Sequence, residues 1–141
     1  MIGRMTYDLL ISNALLLTME PGSRPLDSGF VAIRAGNIAA VGRAATAADL
    51  PAAKAVWDAS GNLVMPGLVN CHCHGAMTLF RGLADDLPLA QWLHQYIFPA
   101  EARWVDFDFV RTGTLLAAAE LLRGGVTTIA DAYFWETAAR Q

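Results

Sequence analysis

The chain has 141 residues, 55% of them hydrophobic and 16% charged, which suits one ordinary domain that buries much of its surface and excludes a disordered tail. Its net charge is −3 with Lys and Arg scattered, so it lacks the basic footprint of a nucleic-acid or membrane-surface binder. The longest apolar stretch near the start, Leu9 to Leu17, is broken by Ser12 and Asn13 and is too short to span a bilayer. Met1-Ile2-Gly3-Arg4 leads straight into an alternating pattern, without the basic region and small-residue cleavage site of a secretory leader. A cytoplasmic location is therefore expected. The two cysteines, Cys71 and Cys73, stand at i and i+2 of one predicted strand, where the extended backbone holds the side chains apart, so no disulfide between them is expected and a reducing compartment fits.

Taken in chain order, Thr6 to Met19 and Phe30 to Val41 are rich in Leu, Ile and Val, with Gly36-Asn37 as a turn inside the second run. These are antiparallel β signals. Pro21-Gly22 and Pro25 punctuate the connection, and Ala44 to Ala55 is a weakly patterned stretch open between short helix and loop. Val56 to Ala59 reads as a strand, Ser60-Gly61-Asn62 as a tight turn, and Leu63 to Met65 as the strand's partner.

After Pro66-Gly67 the pattern changes. Leu68 to His74 reads as a strand, followed by a helix from about Leu87 to Phe98 with Asp86 as N-cap, Pro88 in the first turn and Pro99 as terminator. A second helix starts near Asp106 or Asp108 and stops at Gly124-Gly125, and Val126 to Ala130 is a β-branched strand. Strand, helices, strand is a βαβ unit with parallel strands. Two such strands cannot cover both faces of a sheet, and a further helix begins around Thr137 to Gln141, so a protein two to three times longer is expected.

Residues i and i+2 of a strand share a face, so His72 and His74 present two imidazoles side by side, as adjacent ligands of one metal must be. An isolated H-x-H is more often a polar strand end with solvated or hydrogen-bonded histidines. Its place at the C-terminal end of a strand that opens a βαβ unit favours the metal, because catalytic residues gather there in barrel enzymes. A Cys2His2 zinc module is disfavoured, since alternation turns Cys71 and Cys73 away from the imidazoles and leaves them as small buried hydrophobes.

Leu63-Val64-Met65-Pro66-Gly67-Leu68-Val69-Asn70-Cys71-His72-Cys73-His74 resembles the opening of the amidohydrolase superfamily, P-G-x-[VI]-[ND]-x-H-x-H, with cysteine at positions where the family has alanine or threonine. Met77 through Leu93 and then Pro99-Ala100-Glu101 are similar to the branch that holds S-adenosylhomocysteine and 5'-methylthioadenosine deaminases and triazine chlorohydrolases. The likeness covers about residues 56 to 136. It implies an α/β fold: the start of a distorted (β/α)8 TIM-type barrel in residues 65–141, preceded in 1–64 by part of a small β-sandwich domain. It implies one divalent metal ion, usually Zn2+, held by His72, His74 and later residues outside this chain. Imidazole pairs also suit iron, nickel and copper.

The reaction so implied is hydrolytic deamination of an adenine nucleoside, in which a water activated by the ion attacks the carbon bearing the amino group and ammonia leaves. The proton-carrying glutamate falls beyond Gln141, so no catalytic residue is assigned here. By the same likeness Glu101 accepts hydrogen bonds from the ribose hydroxyls, an ionised carboxylate being an acceptor-only group. The other reading of Glu101 is a solvated residue just after a helix. The partner is thus a small nucleoside, with homo-oligomers common in the family. Alternatives are a triazine chlorohydrolase, a deaminase of guanine or oxidised purines, and a non-catalytic metal-binding fragment.

Other residues carry milder expectations. Met77 is open between pocket lining and core. Trp92 reads as packing, Arg81 as an ion-pairing or loop-fixing residue, Asp85 and Asp86 as helix caps, and His94 as a partly exposed helix residue. Asp131 reads as a loop hydrogen-bonder at the catalytic end, with Tyr133, Phe134 and Trp135 as an apolar substrate wall.

Overall fold

Strand β1 (Tyr7–Leu16) organises the first half of the chain. Leu10, Ser12, Ala14 and Leu16 are all buried, the period-of-two pattern of a strand with one covered face. The computed structural model describes residues 6–139, so Met1–Arg4, read above for a leader, and Arg140-Gln141, read as the continuation of a last helix, lie outside the described residues. Strands β2 (Leu26–Arg34) and β3 (Asn37–Arg43) follow β1 as an antiparallel meander. The turn joining them is Ala35-Gly36, with φ of 49° and 76°, the positive pair that a two-residue hairpin needs. The Ala-rich stretch contains one 3-10 turn, Ala47–Asp49, held by the Thr46 amide and hydroxyl donating to Asp49 Oδ2 at 2.9 Å each.

Strands β4 (Ala53–Asp58) and β5 (Leu63–Val64) do not form the hairpin expected of them. Both run parallel to β1, β4 along Tyr7 to Ser12 and β5 along Leu15 and Leu16. The reason lies in the turn between them. It serves as a bulge facing Asn13, which takes φ 60° and donates from its side-chain amide to Asp58 Oδ1 at 2.9 Å. The backbone resumes pairing on either side, Ala59 N–H to Ser12 O at 2.8 Å and Leu15 N–H to Asn62 O at 3.0 Å. One long strand therefore hosts two short ones end to end, in a sheet ordered β3-β2-β1-β4 with β5 also on β1.

The chain divides into two compact units between Pro66 and Gly67. In the second, β6 (Leu68–Cys73) and β7 (Val126–Asp131) pair in parallel, the βαβ arrangement expected. A 3-10 segment, Gly75–Phe80, leaves β6. Helix α1 (Leu89–Trp92) then runs through a π turn, Leu93–Ile97, into α2 (Phe98–Trp104). Two expectations fail here. Asp86 does not cap α1: it has φ 59°, and Pro88 holds the N-cap position. Pro99 does not end the helix either. In an uninterrupted α-helix its ring would clash with the carbonyl four residues back and its missing N–H would break a bond. The π turn, closed by Phe98 N–H to Leu93 O, re-registers the backbone so that Pro99 falls in the first turn of α2, where no donor is required.

Helix α3 (Phe107–Arg123) has the bounds its sequence signals imply. Asp106 caps it by accepting from Phe109 N–H at 2.8 Å, and Gly125, at φ 82°, follows its last turn. Val110, one turn into α3, is buried with Ala76 and with Ala138 of α4 (Glu136–Ala139), and Val105, Phe107, Phe109 and Tyr133 pack around them. Gly113 permits this closeness. A Cβ there would lie 2.6 Å from Ala76 O, nearer than any methyl can sit. Gly113→Ala should therefore cost the full-length protein about 1–3 kcal/mol in denaturant titration. Gly124→Ala, whose nearest neighbour would be 3.4 Å away, should stay within about 0.5 kcal/mol of wild type.

Candidate functional site

Parallel pairing brings the C-terminal ends of β6 and β7 together. Asn70 faces Ile129 and Cys73 faces Asp131, so β6 carries one extra residue across Cys71-His72. Such a shift re-aims side chains. The regular alternation assumed for this strand is thus interrupted, and His74 lies just past the strand's end with φ −127° and ψ 72°. The two imidazoles still converge, with centroids 5.2 Å apart and rings at 82° to each other. Both cysteines are free thiols, Cys71 exposed and Cys73 half-buried. Burial, with Asp131 nearby, pushes the Cys73 thiol pKa upward. Among the described residues no three His, Cys, Asp or Glu side chains come together as a group that could hold a metal ion.

The backbone fixes each histidine differently. His72 N–H donates to the Asn70 side-chain carbonyl at 3.0 Å. His74 Nδ1 lies 2.8 Å from Ala132 O, and a carbonyl only accepts, so Nδ1 carries a proton, and in the neutral ring the lone pair is then on Nε2. That is the arrangement by which a carbonyl orients a ligating imidazole. Asp131 does what was expected of it, accepting from Gly75 N–H at 3.1 Å and pinning the loop after His74.

Glu101 lies inside α2 and is half-buried, rather than solvated beyond a helix end. Its Oε1 accepts from the Tyr133 hydroxyl at 2.8 Å. Burial, then the bonded Glu101 carboxylate, hold the Tyr133 phenol pKa well above the ordinary tyrosine range, which keeps the group a donor. The Tyr133 ring is tilted at 6.2 Å from that of His74. His72, His74, Tyr133 and Glu101 thus form one run of contacts. Beside it opens a cleft of about 540 Å³ lined by Phe98, Glu101, Ala102, Val105, Phe134 and Trp135. Phe134 and Trp135 line this cleft, while the Tyr133 hydroxyl is bonded to Glu101.

Other predicted residues lie elsewhere. Met77 and Trp92 line a separate recess of about 300 Å³. His94 is exposed and stacks edge-on against Phe98, centroids 5.2 Å apart. Arg81 ion-pairs as expected, its two terminal nitrogens reaching the Glu120 oxygens at 3.0 and 2.6 Å and tying the segment after the histidines to α3. What the sequence did not disclose was the carbonyl behind His74 and the phenol on Glu101. The second joins residues 32 positions apart, and its only advance signal was a tyrosine just past a strand's C-terminal end.

The hydrogen bond from Arg81 holds the Glu120 carboxyl pKa below its usual value. A depressed acid stabilises the fold above its unfolded pKa, and that contribution vanishes as pH falls through the folded one. In Arg81→Leu the Glu120 carboxyl, followed by carbon-13 NMR in the full-length protein, should titrate at higher pH than in wild type, back toward the ordinary carboxylate range. An unchanged titration would mean the pair does not persist in solution.

Residues 63–140 match the model of the amidohydrolase family. The chain is 53% identical over 136 residues to a 5-methylthioadenosine/S-adenosylhomocysteine deaminase of Syntrophobacter fumaroxidans, covering 96% of this chain and 31% of the relative. It is 49% identical over 128 residues to a 5'-deoxyadenosine deaminase of Methanosarcina mazei, covering 91% of this chain and 28% of the relative. Among solved structures it resembles an adenosine deaminase from Xanthomonas campestris with bound zinc, at TM-score 0.89 and 42% identity, over 95% of this chain and 30% of that one. An atrazine chlorohydrolase from Arthrobacter aurescens complexed with zinc follows the fold at TM-score 0.75 and 26% identity, over 87% of this chain and 28% of that one. The chain therefore spans under a third of the length of these relatives.

Proposed function

The chain belongs to the amidohydrolase family, and from that premise we propose that it is part of a metal-dependent hydrolase that deaminates adenine nucleosides such as S-adenosylhomocysteine, 5'-methylthioadenosine or adenosine. The observation that carries this is the run of contacts from the His72 and His74 imidazoles through Tyr133 to the Glu101 carboxylate at an apolar cleft. The names of the relatives support the same chemistry.

The donor set suits a divalent ion, with zinc favoured because neutral imidazole nitrogen is among its preferred ligands. His74 is held with Nε2 as the lone-pair nitrogen, and His72 stands beside it. These two would hold the ion, with the remaining ligands and the proton-carrying glutamate expected beyond Gln141. When bound, the ion supplies the Lewis acidity that makes water nucleophilic near neutral pH. The Ala132 carbonyl keeps the His74 ring in one tautomer. Glu101 offers acceptor oxygens to two ribose hydroxyls, and Phe98, Phe134 and Trp135 keep water off one side of the bound nucleoside.

In this reading residues 65–141 open a distorted (β/α)8 barrel and residues 1–64 contribute to a small β-sandwich. The protein acts in the cytoplasm on a small molecule, without nucleic-acid or membrane partners, and forms homo-oligomers. Among the described residues no helix is long and apolar enough to cross a membrane. A triazine substrate is the second reading, suggested by the likeness to the atrazine chlorohydrolase. Glu101 argues against it, because a triazine has no vicinal hydroxyls to engage the carboxylate.

Ultraviolet-monitored turnover by the zinc-loaded full-length protein tests the proposal. S-adenosylhomocysteine, methylthioadenosine and adenosine should react and free adenine should not. His72→Ala should abolish turnover and lower the zinc retained per chain. Glu101→Gln should raise KM about tenfold or more, since a hydrogen bond to a charged group is worth ~1.5–3 kcal/mol. Metal retention with no turnover of any adenine compound would overturn the nucleoside assignment.

A further inference from the structure

We infer that Tyr133 is the positioning residue for ribose recognition: its hydroxyl sets the Glu101 carboxylate at a fixed place relative to the His74 imidazole. The inference rests on the reading of Glu101 as the acceptor for ribose hydroxyls. A glutamate has three side-chain torsions and loses much freedom when ordered, so a carboxylate that must meet two hydroxyls at once needs an anchor. Among the described residues the Tyr133 hydroxyl is the donor that supplies it, at 2.8 Å to Oε1. Phenol and carboxylate come from different elements, Glu101 from α2 and Tyr133 from the loop after β7.

Geometry makes Tyr133 more than a packing residue. Its neighbour Ala132 gives the carbonyl that orients His74, so two consecutive residues hold the imidazole and the carboxylate from one stretch of backbone. The Tyr133 ring is itself fixed, tilted against His74 at 6.2 Å and against Phe134 at 4.9 Å. An ionised carboxylate has about four lone-pair directions. One is taken by the phenol, and Oε2 with the rest of Oε1 remains for a diol. The separation between imidazole and diol acceptor thereby becomes a ruler that a nucleoside satisfies and a free base does not.

Tyr133→Phe removes only the hydroxyl and keeps the ring. In the zinc-loaded full-length enzyme it should raise KM for adenosine by about five- to twentyfold. Turnover number should stay within about twofold, and KM for 2',3'-dideoxyadenosine should barely change. Calorimetric binding of inosine and of 2',3'-dideoxyinosine to the metal-free protein should show the same contrast without any turnover. In a Glu101→Gln background Tyr133→Phe should add nothing. The inference is overturned if Tyr133→Phe weakens both nucleosides alike, lowers chiefly the turnover number, or acts additively with Glu101→Gln. If Glu101→Gln itself fails to distinguish adenosine from the dideoxy analogue, the ribose reading fails and takes the role of Tyr133 with it. If Glu101→Gln distinguishes them and Tyr133→Phe does not, the ribose reading stands and this inference alone falls.

Discussion

Parallel strands cannot be joined by a tight turn, and the segment linking β6 to β7 must leave one end of the sheet and return to the other. Both strands consequently finish at the same end, and the residues that follow them meet there whatever their distance in sequence. His74 after β6 finds the carbonyl of Ala132 after β7, and Gly75 finds the carboxylate of Asp131. The crossover is usable because α3 can lie close to the 3-10 segment at Gly113, where a side chain would collide with Ala76. Polar contacts at the strand ends thus depend on an apolar contact one layer away.

Sequence signals succeeded where a local rule had no competitor. Asp106 before α3 and Gly124-Gly125 after it marked that helix because capping and left-handed termination are properties of a few adjacent residues. They failed where a neighbour overrode the rule. Pro99 reads as a stop, but a π turn upstream absorbs it, and no pattern in the sequence announces that turn. The stretch around Ser60-Gly61 reads as a hairpin because the turn chemistry is right, yet pairing was decided by β1, which was long enough to take both β4 and β5. Asp86 has a good capping side chain in a backbone conformation that cannot use it.

At the site, residue types were legible and their alliances were not. A histidine pair at a strand end is visible in the chain itself, and the structure brings the rings together. Glu101 stood out by resemblance, and the helix that holds it proved to extend farther than its proline suggested. The Tyr133–Glu101 bond and the Ala132–His74 bond are long-range contacts of a phenol and a backbone carbonyl. Every tyrosine and every peptide offers those groups, so no motif could have singled them out.

The contact between His74 and Ala132 also bears on the order of events during synthesis. A chain emerges from the ribosome N-terminus first, and Leu68 must wait for Val126 before β6 has a partner. Throughout that interval the His74 ring lacks the carbonyl that orients it. The single orientation that the Ala132 carbonyl gives the His74 ring is therefore acquired when β7 docks and not when the histidines are made.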